Sequence, residues 1–252
     1  AGAVLRFTDD FDAYPVVNIR WEGYEQPCHR PLVYAKNEVN VALTGLGTLE
    51  GQGQKWWTAF RAKTLCAARP CAVCFEDCTR VRMSDFMVHN SPNWTIHPVR
   101  CENVTIDNLT IVNPFDSPNT DGIDPESCRN VRITGCHIDV GDDCIAVKAG
   151  TEDALENVPC ENIAITGCTM VHGHGGVVLG SEMSGGIRRV SIAGCVFDGT
   201  DRGIRIKSRR GRGGAVEDVS VTGVVMNDVL CPLVVNLMYF CGKDGKLPIA
   251  AW

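Results

Sequence analysis

The sequence predicts an all-β fold, a right-handed parallel β-helix in which every coil adds short strands to long sheets. Three observations predict it. A four-residue motif recurs along the chain, apolar and polar residues alternate with a period of two inside each copy, and no segment keeps a helical period of 3.6. Repeats of this length, with Gly, Asn and Asp between the strands, are typical of a solenoid whose coils stack on one another.

The repeat is clearest at Asn103–Ile106, Asn130–Ile133 and Asn162–Ile165, each reading Asn, Val or Ile, any residue, Ile. The first apolar residue of each copy is its anchor, and the anchors are Val41, Val81, Val104, Val131, Ile163, Val190 and Val219. Five residues after each anchor stands another apolar or thiol side chain: Leu46, Phe86, Leu109, Cys136, Cys168, Cys195 and Val224. A leucine-rich repeat would need a fixed Leu spacing, and a β-sandwich would need hairpin turns at shorter steps.

Length and composition are those of one domain, 1–252, without a membrane span. A chain of 252 residues with 44% hydrophobic residues can bury a full core, and no apolar run is long enough to cross a bilayer. The net charge of -6 provides no general attraction for nucleic acid, so an anionic ligand needs a local basic cluster. Residues 1–10 show no signal peptide.

The fourteen cysteines do not predict a compartment. Cys136, Cys168 and Cys195 hold the same place in the repeat, so we expect them to be stacked, buried and reduced. A second set includes a C-x2-C spacing that is typical of zinc sites, but the surrounding repeat explains most of its members as structural; the set is Cys66, Cys71, Cys74 and Cys78.

The stretch from Asn119 to Cys144 has the densest acid chemistry in the chain. Asp142 lies eleven residues after anchor Val131, and His174 lies eleven after the next anchor, so the two should stack on consecutive coils roughly 4.8 Å apart. A bulging insertion at 113–118 would bring Asp121 to the same line. With Asp143, three carboxyl groups on one face suit glycoside hydrolysis, in which one donates a proton and another activates water or attacks carbon.

A basic pair follows in the segment from Asp201 to Gly214. Arg205 and Lys207 are two residues apart on a predicted strand, so they should project from one face and suit the carboxylate of a sugar acid. The neighbouring arginines, at 209, 210 and 212, are also explained as a solvated charge run or a nucleic-acid patch.

Four short motifs stand in the order of a known family: N-T-D at 119–121, G-D-D at 141–143, G-H-G at 173–175 and R-I-K at 205–207. With the longer strings around them, the sequence resembles the polygalacturonase family of glycoside hydrolases, family 28, and its bacterial exo-acting branch in particular. The resemblance runs from about Gly2 to Lys243. It implies an inverting hydrolase of α-1,4 links between galacturonic acid units in pectin, on a right-handed parallel β-helix.

The resemblance also implies the role of each residue. Asp142 matches the general acid, Asp121 and Asp143 match the pair that activates water, and His174 matches the histidine that assists the acid. Arg205 and Lys207 match the binders of the substrate carboxylate, and Tyr239 falls where the family has a tyrosine beside the scissile bond. No cofactor or metal is expected.

The expected partner is a galacturonan or pectin oligosaccharide, with no nucleic acid and no membrane. The expected location is secreted or periplasmic, with the cytoplasm as the alternative. Relative to the family, the chain is expected to lack coils at both ends, and exposed solenoid ends favour self-association.

Three other functions stay open at this point. Rhamnogalacturonan or another pectin backbone is an alternative substrate within the family. A pectate lyase would need a calcium-binding acid cluster and a basic proton abstractor. A carbohydrate-binding β-helix without catalysis provides no reason for His174 to align with Asp142.

Overall fold

A computed structural model describes residues 2–240 as a right-handed parallel β-helix, which confirms the predicted fold class. Most coils contribute one strand to each of three parallel sheets, numbered here I to III, and strands are numbered along the chain. Sheet I consists of β5 (Ala42–Thr44), β8 (Thr79–Ser84), β11 (Glu102–Asp107), β13 (Arg129–Thr134), β16 (Cys160–Thr166), β19 (Ile187–Ala193) and β22 (Val216–Thr222).

Sheets II and III follow sheet I in every coil. Sheet II consists of β1 (Val4–Arg6), β6 (Thr48–Glu50), β9 (Met87–His89), β12 (Thr110–Val112), β14 (His137–Val140), β17 (Thr169–His172), β20 (Val196–Asp198) and β23 (Val225–Asn227). Sheet III consists of β4 (Val33–Lys36), β7 (Val73–Glu76), β10 (Ile96–Val99), β15 (Ile145–Val147), β18 (Val177–Leu179), β21 (Arg202–Lys207) and β24 (Cys231–Asn236). Single bridges at Ile123 and Glu126 join β10 to β15, so sheet III runs on between them.

The predicted register is confirmed in sheet I. Val104 pairs with Val81 on one side and with Val131 on the other, and the series continues through Ile163, Val190 and Val219. These anchors point into a continuous apolar core, where each fully buried Val or Ile contributes about 1.5–3 kcal/mol. The core therefore consists of columns of like residues, one for each position of the repeat.

The backbone conformation explains why asparagine precedes the anchor. Asn103, Asn130 and Asn162 all have φ of 59°, in the left-handed region that asparagine tolerates better than most residues. Their side chains also form a ladder, because Asn130 donates to Asn103 at 3.1 Å and Asn162 donates to Asn130 at 2.9 Å. The motif is thus a turn residue followed by a core residue.

The thiol column is buried, as predicted, and no disulfide joins its members. Cys136, Cys168 and Cys195 are free and almost inaccessible, and they occupy the turn between sheets I and II. Leu46, at the corresponding position in the first coil, is instead 70% exposed.

Two elements depart from the predicted solenoid. Helix α1 (Gly53–Arg61) lies within the 40-residue step between the first two anchors, and it buries Trp56 and Trp57 as core residues. An antiparallel hairpin of β2 (Val16–Trp21) and β3 (Tyr24–His29) follows a short 3₁₀ turn, Phe11–Ala13. The sequence pattern, in which no segment keeps a helical period, did not predict α1.

The described residues share one main apolar core, from Leu49 to Ile204. Ala1 and residues 241–252 lie outside the described residues, so a single domain over 1–252 stays a prediction. Between residues 2 and 240, the structure has no helix with the length and apolarity that crossing a bilayer demands.

Candidate active site

An open cleft of about 350 Å³ lies over the outer face of sheet III. One wall is formed by the turns that enter this sheet, at 113–122, 141–144 and 173–176, and the other by the turns that leave it, at 149–159, 180–186 and 208–215. Asp121, Asp142 and Lys207 line it, so the sequence-predicted residues meet in one place.

The three predicted aspartates converge. One oxygen from each of Asp121, Asp142 and Asp143 lies within 4.8 Å of the others. Asp142 and Asp143 are in a turn rather than on a strand, and the backbone N–H of Asp143 donates to the Asp142 carboxylate at 2.9 Å. Adjacent residues on a strand would point to opposite faces of the sheet. In this turn, both side chains can serve one site.

Gly141 contributes by close packing rather than by a special bend. A Cβ built there would lie 2.5 Å from the carbonyl oxygen of Ser117 and 2.6 Å from that of Pro114. These two residues belong to the predicted bulging insertion, so the glycine lets the turn carrying Asp142 pack directly against the turn carrying Asp121.

His174 stacks on Asp142 from the next coil, as the eleven-residue offset predicts. Its Nδ1 lies 3.3 Å from Asp142 Oδ1. The hydrogen bond and charge of Asp142 raise the pKa of His174 above its ordinary value. Burial alone would raise the pKa of Asp142, but the hydrogen bond and charge of His174 outweigh burial and lower it.

Asp121 behaves in the opposite way. Burial, followed by the charges of Asp142 and Asp124, raises its pKa well above the usual range. The carboxyl groups are close enough to titrate together, so their proton belongs to the group. The pKa of Asp121 is thus raised while that of Asp142 is lowered.

The basic pair lies against Asp143. Lys207 Nζ is 2.6 Å and an Arg205 guanidinium nitrogen 3.5 Å from the Asp143 carboxylate, which is completely buried. Burial by itself would lower the pKa of Lys207, but Asp143 reverses the effect and raises it. Both cations also lie over the ring of Tyr239, at 5.2 Å for Arg205 and 5.0 Å for Lys207. Tyr239 lines the cleft as predicted.

Sequence reasoning missed a second layer of charge beneath the aspartates. Lys148 Nζ is buried 3.1 Å from Glu182, 3.6 Å from Asp124 and 3.8 Å from Asp121. Burial would lower the pKa of Lys148, but these three carboxylates raise it well above the usual range. Burial alone would raise the pKa of Glu182, but nearby cations, Lys148 first among them, outweigh burial and lower it to about 2. Lys148 ends the string G-D-D-C-I-A-V-K, which could have signalled it.

The tip of the β2–β3 hairpin forms part of the lining of the cleft. Glu22 and Tyr24 line it, and the carbonyl of Gly23 accepts a hydrogen bond of 2.9 Å from the backbone of Thr151. Trp21 packs against Trp94, with ring centroids 6.0 Å apart. Burial, then the charge of Glu182, raises the pKa of Glu22 to about 7. The E-G turn between two alternating runs could have revealed this hairpin.

One further aromatic residue lies in the cleft, whereas His97 and Asp139 do not line it. Trp94 lines the cleft beneath Lys148, whose Nζ lies 4.4 Å from the ring centroid. His97 is fully buried and contacts Glu126 at 3.0 Å, away from the aspartates. Asp139, also part of the acid-rich stretch, pairs with His172 at 2.9 Å outside the cleft.

The arginine-rich segment is largely internal. Arg209 and Arg212 line the cleft and are nearly buried, and both pair with Glu152, Arg212 at 2.9 Å. Their burial argues against a solvated charge run.

Within residues 2–240, the three aspartates are the set whose oxygens are spaced closely enough to receive a cation. Positive charge is already supplied there by Lys148, Arg205 and Lys207. The C-x2-C cysteines, Cys71 and Cys74, are buried and free, and Cys71 Sγ lies 3.9 Å from a ring nitrogen of His97. Cys66 is exposed and Cys78 buried.

Carboxyl groups that converge in an open cleft on a parallel β-helix define a class of protein, the solenoid glycoside hydrolases. Residues 20–250 match the model of glycosyl hydrolases family 28, and the chain belongs to that family.

Similar proteins agree with this membership. A probable polygalacturonase of Vitis vinifera is 38% identical, over 89% of this chain and 48% of its own length. The chain spans about half the length of the curated relatives it matches. The crystal structure of an exopolygalacturonase from Thermotoga maritima has a TM-score of 0.84 at 33% identity, covering 94% of this chain and 62% of that one. A polygalacturonase from Erwinia carotovora has a TM-score of 0.78 at 27% identity, covering 92% and 65%.

Proposed function

We propose that the protein hydrolyses α-1,4-galacturonosidic bonds in polygalacturonate, with inversion and from chain ends. The observation that carries the proposal is the convergence of Asp121, Asp142 and Asp143, with His174 on one of them and a cationic pair on another. Relatives named as polygalacturonases support the choice of substrate.

Asp142 is the proposed proton donor to the leaving oxygen, and Asp121 and Asp143 are the proposed activators of the attacking water. Because His174 lowers the pKa of Asp142, this division requires Asp142 to take up a proton when substrate binds. Arg205 and Lys207 contact the Asp143 carboxylate and hold it in position beside the other two aspartates.

Arg205 and Lys207 are also the proposed binders of a substrate carboxylate. Lys207 lines the cleft, and a uronate entering beside Tyr239 would meet its ammonium group. A neutral sugar would leave this charge without a second partner, so the pair favours an acidic sugar.

Action at chain ends is supported by the hairpin. At its tip, Glu22 lines the cleft and the carbonyl of Gly23 accepts a hydrogen bond from the backbone of Thr151. A polymer that crosses the aspartates would run into this tip, whereas a chain end fits.

The proposal of inversion rests on family membership, and one distance in the site argues against it. Inverting carboxyl pairs usually stand about 6.5–9.5 Å apart and retaining pairs about 5–5.5 Å. The closest oxygens here are within 4.8 Å, so the distance rule alone favours retention. In this site two bases rather than one hold the water, which lets the attacking water lie closer to the acid.

The test is incubation with polygalacturonate and a chelator, followed by product sizing and proton NMR of the first product. We expect galacturonate monomer without ultraviolet absorbance, with inverted anomeric configuration. Unsaturated product would identify a lyase, a ladder of oligomers would refute action at chain ends, and binding without product would leave a carbohydrate-binding module.

A further inference from the structure

The segment that leads to Asp121 is an insertion, and regular pairing between coils holds only its end. Gly122 donates a backbone hydrogen bond to the carbonyl of Asp143 at 3.0 Å, and Thr95 donates to the carbonyl of Asp121 at 2.9 Å. Residues 114–120 belong to no strand, so other contacts have to fix them. The position of Asp121 beside the other aspartates therefore depends on what holds this segment.

Arg69, which lies between α1 and β7, reaches this segment with its guanidinium group. Its Nη1 donates to the carbonyl oxygens of Pro118 at 2.7 Å and Pro92 at 2.8 Å, and its Nη2 donates to the side-chain oxygen of Asn119 at 2.7 Å. Pro92 lies in the turn before β10, and Pro118 lies in the corresponding turn of the next coil. The three hydrogen bonds thus join two successive coils within three residues of Asp121.

The guanidinium group is itself firmly placed. Arg69 is 2% exposed, its backbone carbonyl accepts from the side chain of Asn93 at 3.2 Å, and its guanidinium carbon lies 3.9 Å from the ring centroid of Phe60 on α1. Among the residues that the structure describes, its side chain donates to two carbonyl oxygens and one amide oxygen, and to no carboxylate. Burial lowers the pKa of Arg69 to about 10, which leaves it charged at neutral pH. Since a buried charge is costly without hydrogen bonds, these three bonds are strongly maintained.

We propose that Arg69 is a positioning residue, which holds the turn at Pro118 and Asn119 so that the Asp121 carboxyl group stays beside Asp142 and Asp143. Arg69 does not line the cleft, so it acts on the reaction through the turn and not by touching substrate. The holding of the turn stands on these contacts alone, whereas its meaning for catalysis rests on the proposed function.

Arg69 could also influence Asp121 through its charge, and a lysine variant separates the two effects. A guanidinium group offers its N–H donors in a rigid plane, whereas an ammonium group is a compact charge on a flexible stem. Arg69→Lys therefore keeps the positive charge but not the planar set of bonds to Pro118 and Asn119. Arg69→Gln removes both the charge and the planar set.

The first experiment needs no substrate. Hydrogen exchange measured by mass spectrometry should be faster in peptides covering 113–122 for Arg69→Gln than for wild type, because opening of the turn breaks the backbone hydrogen bonds that Ser117 and Gly122 donate there. Val190→Ala, a core deletion in sheet I, is the stability control and should leave exchange at 113–122 as in wild type. Unchanged exchange in the glutamine variant, or equal acceleration in both variants, overturns the holding of the turn. If Arg69→Gln does not fold, Arg69→Lys takes its place, with a smaller acceleration expected and the same criteria.

The second experiment addresses positioning with steady-state kinetics on polygalacturonate. Arg69→Gln should lower kcat and kcat/KM by the same factor, roughly ten- to a hundredfold, because a reacting group is misplaced while the surface that binds substrate is kept. Arg69→Lys should recover only part of this loss, and Val190→Ala should keep the wild-type kcat at temperatures where it is folded.

Two kinetic results would overturn the positioning role. Full recovery by Arg69→Lys would mean that charge alone matters, and a wild-type kcat in folded Arg69→Gln would mean that the residue serves stability only. If wild type cleaves no galacturonan, the proposed function fails, while hydrogen exchange still decides whether Arg69 holds the turn.

Discussion

His172 ends β17 and His174 lies in the turn after it, and the position of these two histidines relative to the cleft is set by the aspartate that each one contacts. His172 pairs with Asp139 and His174 with Asp142, and the two imidazoles are similarly exposed, at 58% and 53%. Asp139 lies outside the cleft, whereas Asp142 belongs to the aspartate trio. The same kind of imidazole–carboxylate contact thus lies once on the surface outside the cleft and once in the candidate site.

Replacing His174 should change the pH dependence of the reaction. Because His174 lowers the pKa of Asp142, His174→Gln should raise that pKa and move the alkaline limb of the kcat/KM profile to higher pH. We also expect kcat/KM to fall by roughly 10²-fold, the low end for a group that assists proton transfer. Steady-state kinetics from pH 3 to 9, on the order of the range that carboxyl and imidazole groups span, would measure both effects.

His172→Gln is the matched control and should leave the profile in place. A profile that moves equally in the two variants would mean that the effect is general surface electrostatics. A profile that moves in neither would contradict the proposed proton donor.

Single-residue predictions succeeded where the repeat supplies the register. The offset of eleven residues from successive anchors placed His174 on Asp142, and alternation placed Arg205 and Lys207 on one face. Lys148 and Glu182 escaped because their role depends on pairing between coils, which neither local pattern reveals. The protonation states also depend on burial, which one sequence does not specify.

At the scale of elements, the hairpin is held to the solenoid by its glycine. Gly23 has φ of +84°, and a Cβ there would lie 2.5 Å from the side chain of Thr151 and 2.8 Å from that of Glu182. The tip can dock only without a side chain. The hairpin and α1 were missed because they interrupt the repeat, and α1 begins at a glycine after a left-handed Gln52 rather than at a usual capping residue.

Gly23→Val should therefore lift the tip off Thr151 and open the end of the cleft. We expect longer products from polygalacturonate and a stability loss above the roughly 1 kcal/mol that the backbone conformation alone costs. Product sizing by anion-exchange chromatography and thermal denaturation measure the two effects.

Gly135→Val controls for backbone strain, because Gly135 also has positive φ, at +62°, but a Cβ there would meet nothing within 4 Å. If the two variants release the same products, the hairpin does not determine where the polymer is cleaved.

At the scale of the whole molecule, the stacking that builds the core also leaves one end of it open in residues 2–240. Leu233 and Val235 of β24 continue inward-facing columns of sheet III, after Ile204 and Ile206, yet they are 65% and 61% exposed. Among the described strands, β24 pairs only with β21, so no described strand covers its outer edge.

Such an edge favours pairing with a second copy, and we expect the protein to self-associate with rising concentration. Leu233→Lys combined with Val235→Lys should suppress association, because two charges would have to be desolvated at the contact. Sedimentation velocity across a concentration series measures this. Leu155→Lys, at a side chain 87% exposed in a turn away from the edge, should associate like wild type. Because the driving force is apolar burial rather than charge, association should persist in high salt, and its loss there would point to surface charges instead.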